Sequence, residues 1–118
     1  MGNAGYNNAS NIAGWHIRNA SWFTQFFKDP AFEAKVKARW KELRESGAIE
    51  YIFQYAQARA FWLDEQQKKN YQIWLIADVV DWVQHGTHGG TGSYEAEVNE
   101  LLNWQRQRAQ WMDAQLSR

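Results

Sequence analysis

One stretch, residues 48–74, constrains the fold of this chain more than any other. Its sequence, AIEYIFQYAQARAFWLDEQQKKNYQIW, is long enough for a helix of about seven turns at 3.6 residues each. Apolar residues recur along it at the spacing of one helical face: Ile49, Ile52, Phe53, Ala56, Ala60 and Leu63. A second row lies on the other side of the same cylinder: Tyr51, Tyr55, Ala58 and Trp62. A helix that is apolar on two sides is usually enclosed by neighbours, so we expect the rest of the chain, or a partner, to pack around it.

Start and stop signals on both sides of this stretch predict an all-α fold. Ser21 is placed to cap a short helix, and the Asp-Pro pair at 29–30 starts a second helix that Gly47 can close in the left-handed conformation. The buried stripe of this second helix is predicted from its spacing: Phe32, Val36, Trp40 and Leu43. Ser93 caps the last helix, whose main buried arc is Val98, Leu101, Leu102, Ala109, Met112 and Leu116. We predict three main helices and one short N-terminal helix, arranged around the long central one.

The chain length suits a single domain. We predict one helical domain over residues 1–118, in which residues 1–20 form an irregular or extended segment because they are rich in Gly, Asn and Ala and lack a helical period. Residues 75–83 fit either a helix or an extended segment packed on the core. Residues 85–92, HGTHGGTG, have the composition of a loop.

Charge and cysteine content exclude several classes of function. Thirteen basic and thirteen acidic side chains cancel, so the electrostatic term that dominates nucleic-acid binding is missing and an anionic membrane is not an expected partner. The absence of cysteine excludes disulfides, thiolate catalysis and cysteine metal sites. Neither a membrane-spanning run nor a secretory signal is present, which makes the cytoplasm the default compartment. The eight Trp, six Phe and five Tyr suit a packed core, with an aromatic binding platform as the alternative.

The sequence contains no pattern typical of a catalytic site. His85 and His88, with Asp78 and Asp81 upstream, have suitable side chains for a transition metal, but their Gly-rich context favours a surface loop over a metal site. No serine lies in a nucleophile elbow, and the Gly-rich run lacks the Lys-Ser/Thr ending of a phosphate-binding loop. We therefore predict no catalytic residue, no metal and no cofactor.

Seven short blocks, taken in order, resemble a known family. They are GNA at 2–4, GW at 14–15, SWF at 21–23, DPAF at 29–32, VKARWKEL at 36–43, N-Y-x-x-W at 70–74 and SYEAEVNELLNWQRQRAQWMD at 93–113. Together they resemble the C-terminal part of the CotH kinase family, the atypical protein kinases named after spore coat protein H. The resemblance covers nearly the whole chain and departs from the family pattern at 75–92.

The resemblance carries expectations about fold and activity. Family members have a kinase-like fold that binds nucleotide and magnesium, and some phosphorylate proteins. Their metal-binding Asp-x-Asp element lies just before the residues that match Gly2 and Asn3, so we expect the nucleotide-binding lobe and the catalytic acids to be absent from this chain. A helical part that normally leans on such a lobe should expose apolar surface.

These observations predict a non-catalytic helical domain that acts through self-association, most simply as a homodimer, or through a protein partner. The predicted interaction surface is Tyr51, Tyr55, Ala58 and Trp62. One alternative is a fragment of a CotH-type protein kinase whose nucleotide-binding lobe is encoded upstream. Another is a small-ligand binder with an aromatic-lined cleft, for which Trp15 and Trp62 are the candidate walls.

Overall fold

The computed structural model describes residues 11–15, 17–74 and 93–117 of the 118-residue chain. Every regular element in these ranges is an α-helix, which confirms the predicted all-α class: α1 (Ser21–Phe26), α2 (Pro30–Glu45), α3 (Ala48–Trp62), α4 (Asp64–Ile73) and α5 (Tyr94–Leu116). The predictions for Gly2, Asn3, residues 75–83 and the loop at 85–92, including the metal alternative at His85 and His88, lie outside the described residues.

Three of the predicted helix boundaries are confirmed by their local geometry. The Asp29 carboxylate accepts a hydrogen bond from the Ala31 amide at 2.9 Å, with Pro30 as the first helical residue of α2. Gly47 has φ = 75°, the left-handed conformation that lets α2 end and α3 begin within two residues. The Ser93 hydroxyl accepts from the Ala96 amide at 3.1 Å and so caps α5.

The predicted cap at Ser21 is wrong. Ser21 is the first residue of α1, and the residue before it, Ala20, has no side chain that can accept a hydrogen bond. The hydroxyl of Thr24 instead donates to the carbonyl oxygen of Ala20 at 3.1 Å, which ties the first turn to the preceding segment. A helix of six residues thus starts without a side-chain cap.

The single long helix predicted for 48–74 is interrupted at Leu63. The ψ angle of Leu63 is −1°, against about −42° in an ideal helix, and this turn separates α3 from α4. Backbone hydrogen bonds cross the turn at 2.9 Å, from Leu63 to Arg59 and from Gln67 to Leu63. The break comes where the apolar rows stop and acidic residues start. The carboxylate of Asp64 accepts hydrogen bonds from the side chains of Gln67 (3.0 Å) and Lys68 (2.6 Å) within α4. The Lys68 ammonium is the main reason that the pKa of Asp64 lies below its usual value.

The core lies between α3 and its two neighbours, α2 and α5. Among the described residues, four apolar side chains are buried: Phe53, Leu102, Ala109 and Leu116. Three of them belong to the arc predicted for α5, whereas Leu101, also predicted there, is 51% exposed. The stripe of α2 is only half-buried. The prediction that α3 is enclosed therefore holds on one side, because Phe53 is the only side chain of this helix that is buried.

The segment before α1 packs against α5 and α2 without forming a helix. Arg108 donates to the carbonyl oxygen of Ile12 at 2.5 Å, and the rings of Trp15 and Trp111 meet edge to face at 4.9 Å. The guanidinium of Arg18 lies 4.4 Å from the centre of the Phe27 ring. Within the described part of the chain, none of the helices combines the length and the apolar character needed to cross a membrane.

Candidate functional site

The outward side of α3 carries a continuous row of exposed aromatic side chains. Tyr51, Tyr55, Ala58 and Trp62, here called the aromatic row, fall within about 60° of arc at 3.6 residues per turn. Tyr51 is 64% exposed, Tyr55 48% and Trp62 63%. Phe53, whose side chain is 6% exposed, points to the opposite side of the helix and into the core. The row is therefore part of the surface of α3 that the described helices leave uncovered, which also includes Ile52 (50% exposed) and Phe61 (86% exposed).

Local contacts hold the aromatic row in place. The guanidinium of Arg59 lies 4.9 Å from the centre of the Tyr55 ring and 5.5 Å from that of Trp62. The rings of Tyr51 and Tyr55 are 6.1 Å apart, one turn along the helix. These contacts join neighbours three or four residues apart, so they order the side chains without removing them from water.

A second surface feature lies between α2, the C-terminal half of α5 and Trp15. It is an open groove of about 350 Å³, here called the α2–α5 groove, lined by Trp15, Lys35, Val36, Arg39, Trp40, Leu43, Met112 and Leu116. Trp15 and Trp62, the two predicted cleft walls, are not brought together. Trp15 lines the groove, whereas Trp62 belongs to the aromatic row on α3.

Beneath the groove, one carboxylate joins α2 to α5. Asp113 accepts a hydrogen bond from the indole nitrogen of Trp40 at 2.9 Å and another from the guanidinium of Arg44 at 3.0 Å. The side chains of Arg44 and Asp113 are each about one-third exposed, so this ion pair between α2 and α5 is partly shielded from water. Because both partners of Asp113 come from α2, the carboxylate fixes the distance between the two helices.

Arg108 performs a similar role for the segment that carries Trp15. Besides donating to the carbonyl oxygen of Ile12, its guanidinium lies 4.5 Å from the centre of the Trp111 ring. Burial lowers the pKa of Arg108 below its usual value, because a charged guanidinium loses hydration in this position. The same Trp111 ring supports Trp15, so the wall of the groove is fixed by α5.

The sequence analysis missed the Asp113 contacts and the basic edge of the groove. Lys41 is an exposed basic residue that pairs within α2, whereas the partner of Arg44, Asp113, lies 69 residues away. Nothing in the local sequence around Asp113 marks it as the partner of Trp40. Lys35 and Arg39 carried a usable signal, because their i,i+4 spacing places them on the same side of α2 as the apolar stripe.

No group of three or more His, Asp or Glu side chains in residues 11–15, 17–74 and 93–117 is arranged to hold a metal ion. The charged side chains described above serve ion pairs, helix starts and contacts with aromatic rings.

Comparison with known proteins yields one finding. A family model described as CotH kinase protein matches residues 3–112 of the chain, which confirms the resemblance seen in the sequence blocks. No curated protein and no solved structure matches the chain.

Proposed function

The chain belongs to the CotH kinase protein family, and we propose that its helices act as a non-catalytic protein-interaction unit whose aromatic row binds a second copy of the chain. The observation that carries this proposal is the exposure of three large aromatic side chains along one face of α3. Contiguous exposed apolar patches in soluble proteins mark interaction sites, and tyrosine and tryptophan are enriched at the centres of interfaces.

The spacing within the row supports a second copy as the occupant. The residues at 51, 55, 58 and 62 are separated by four, three and four positions, the spacing of a heptad seam. This order is the same in both directions along the helix. In an antiparallel pair related by a two-fold axis, Tyr51 of one copy therefore faces Trp62 of the other, and Tyr55 faces Ala58. Each large ring meets a complementary position, as a self-complementary interface requires.

Ala58 has a distinct role in this arrangement. It is the one small residue of the row, and it leaves space for the Tyr55 ring of the second copy. The row is about 16 Å long at 1.5 Å per residue, so it supplies the centre of an interface and not its whole area.

The proposal assigns these helices no step of phosphoryl transfer. That reaction depends on metal ligands and phosphate-binding groups held around a nucleotide. The support for an interaction role is instead the exposed row itself, whose residues carry no carboxylate, imidazole or thiol. A different occupant of the same face, another part of a longer CotH-family polypeptide, is distinguished from a second copy by the experiment below.

The test is the molar mass of the purified chain, measured by light scattering. We expect twice the 13.9 kDa chain mass for the unmodified protein, and 13.9 kDa for the double variant Tyr55→Glu/Trp62→Glu, because charges placed in an apolar contact prevent its burial. The matched control is Phe61→Glu. Phe61 is 86% exposed on the same helix but about 100° away from Trp62, so this variant should remain a dimer.

Two results contradict the proposal. A mass of 13.9 kDa for the unmodified chain excludes a second copy as the occupant of the row. A dimer that persists in the double variant, but is lost in Phe61→Glu, places the interface on the flank of α3 and not on the aromatic row.

A further inference from the structure

The α2–α5 groove is a second surface with its own chemistry, and we propose that it binds a small amphipathic carboxylate. The apolar chain or ring of such a molecule lies between Trp15, Val36 and Met112, and its carboxylate lies at Lys35 and Arg39. This inference does not rest on the proposed function, because no residue of α3 lines the groove.

The floor of the groove offers no free hydrogen-bonding group to a ligand. The indole nitrogen of Trp40 donates to Asp113 at 2.9 Å, so the edge of this ring that can form a hydrogen bond is turned away from an incoming ligand. Leu43 and Leu116 offer no polar atom. A ligand therefore gains from the burial of apolar surface there and loses if it brings a polar group to the floor.

Two basic residues border the groove. Lys35 and Arg39 lie one turn apart on the same side of α2 and line the groove with their aliphatic stems, so their charged ends lie at its rim, and no acidic side chain lines the groove. Lys35 makes no ion pair with any other described residue. Arg39 pairs with Glu42 at 2.8 Å, but both side chains are more than 60% exposed, and such a pair yields readily to another carboxylate.

Size and charge together select the class of ligand. A volume of about 350 Å³ lies at the lower end of the range for small-molecule sites, so the groove suits one chain or ring and not a whole helix of a partner. Two adjacent positive charges favour an anion over a neutral or cationic molecule of the same apolar size. A molecule with an apolar body and a single carboxylate satisfies both conditions.

The test compares three probes that share an apolar chain: octanoate, octan-1-ol and octylamine. Each is titrated, below its micelle concentration, into the full chain labelled with nitrogen-15, and the indole N–H signals of Trp15 and Trp40 are followed by nuclear magnetic resonance. We expect saturable shifts of both signals with octanoate, about tenfold tighter binding than with octan-1-ol, and the weakest binding for octylamine.

The variants separate charge from apolar burial. In Lys35→Gln/Arg39→Gln the affinity for octanoate should fall to that for octan-1-ol, while octan-1-ol binding stays unchanged. The matched control is Lys41→Gln, which removes an equally basic side chain from α2 at a position outside the groove. The proposal is overturned if millimolar octanoate moves neither indole signal, if octan-1-ol binds as tightly as octanoate, or if Lys41→Gln weakens binding as much as the double variant.

Discussion

The α2–α5 side and the outward side of α3 differ in the contacts that their side chains make. On the α2–α5 side, Asp113 reaches Trp40 and Arg44 across 73 and 69 residues of sequence. On the outward side of α3, the contacts of the aromatic rings within the described ranges are with neighbours one turn away, such as Arg59 and the other rings of the row. Polar contacts between residues distant in sequence hold two helices together within the chain. Contacts between neighbours on one helix leave that face exposed to a binding partner.

The difference follows from what each face contains. Trp40 and Arg44 have strong donors that need an acceptor, and the acceptor Asp113 fixes a specific approach of α5. The aromatic row offers little beyond apolar area and two phenol groups, so it gains only when another apolar surface excludes water from it. The predictions below test this contrast, starting with the core that both faces share.

The largest expected effect is in the core beneath both faces. Leu102 is 4% exposed, so Leu102→Ala should lower the free energy of unfolding by about 3 kcal/mol through lost apolar burial and the cavity left behind. Its neighbour Leu101 is 51% exposed and provides the matched control, for which Leu101→Ala should cost less than about 1 kcal/mol. Urea unfolding at one protein concentration measures both. Equal losses in the two variants mean that α5 presents a different face to the core.

A smaller effect is expected at the contact that closes the α2–α5 side. Asp113→Ala leaves the Trp40 indole and the Arg44 guanidinium without their acceptor, and should cost about 1–2 kcal/mol, since the pair is one-third exposed to water. The control is Glu45→Ala, which removes an exposed carboxylate that pairs only with Lys41 on the same helix, and should cost no more than about 0.5 kcal/mol. Urea unfolding again provides the measurement. If both variants lose the same stability, the Asp113 contacts do not close this face.

Three helix boundaries were predicted correctly from residues close to them in the sequence. Asp29 and Pro30 start α2, Gly47 turns the chain, and Ser93 caps α5, because each acts within a few residues of its position. Periodicity also placed Phe53 opposite the aromatic row, but it put Ile52 and Leu63 in the same row as Phe53, and these two side chains are 50% and 40% exposed. The three helix boundaries needed no knowledge of how the helices pack.

What the sequence could not predict depends on tertiary contacts. The pairing of Asp113 with Trp40 joins residues 73 positions apart, and no spacing rule connects them. Leu101 and Leu102 are adjacent and chemically identical, so only the rotation of α5 against α3 decides which one is buried. The break at Leu63 lies within a continuous helical period, so the spacing of apolar residues does not reveal it.

The central claim is that a second copy covers the aromatic row, while contacts within the chain close the α2–α5 side. Its most direct test is a dilution series followed by nitrogen-15 nuclear magnetic resonance. The account predicts that amide signals from Tyr51 to Trp62 shift as the protein is diluted, while the Trp40 indole N–H, bound to Asp113, keeps its position. Signals that stay constant along α3 at every concentration, or that shift at Trp40 and not at the row, contradict it.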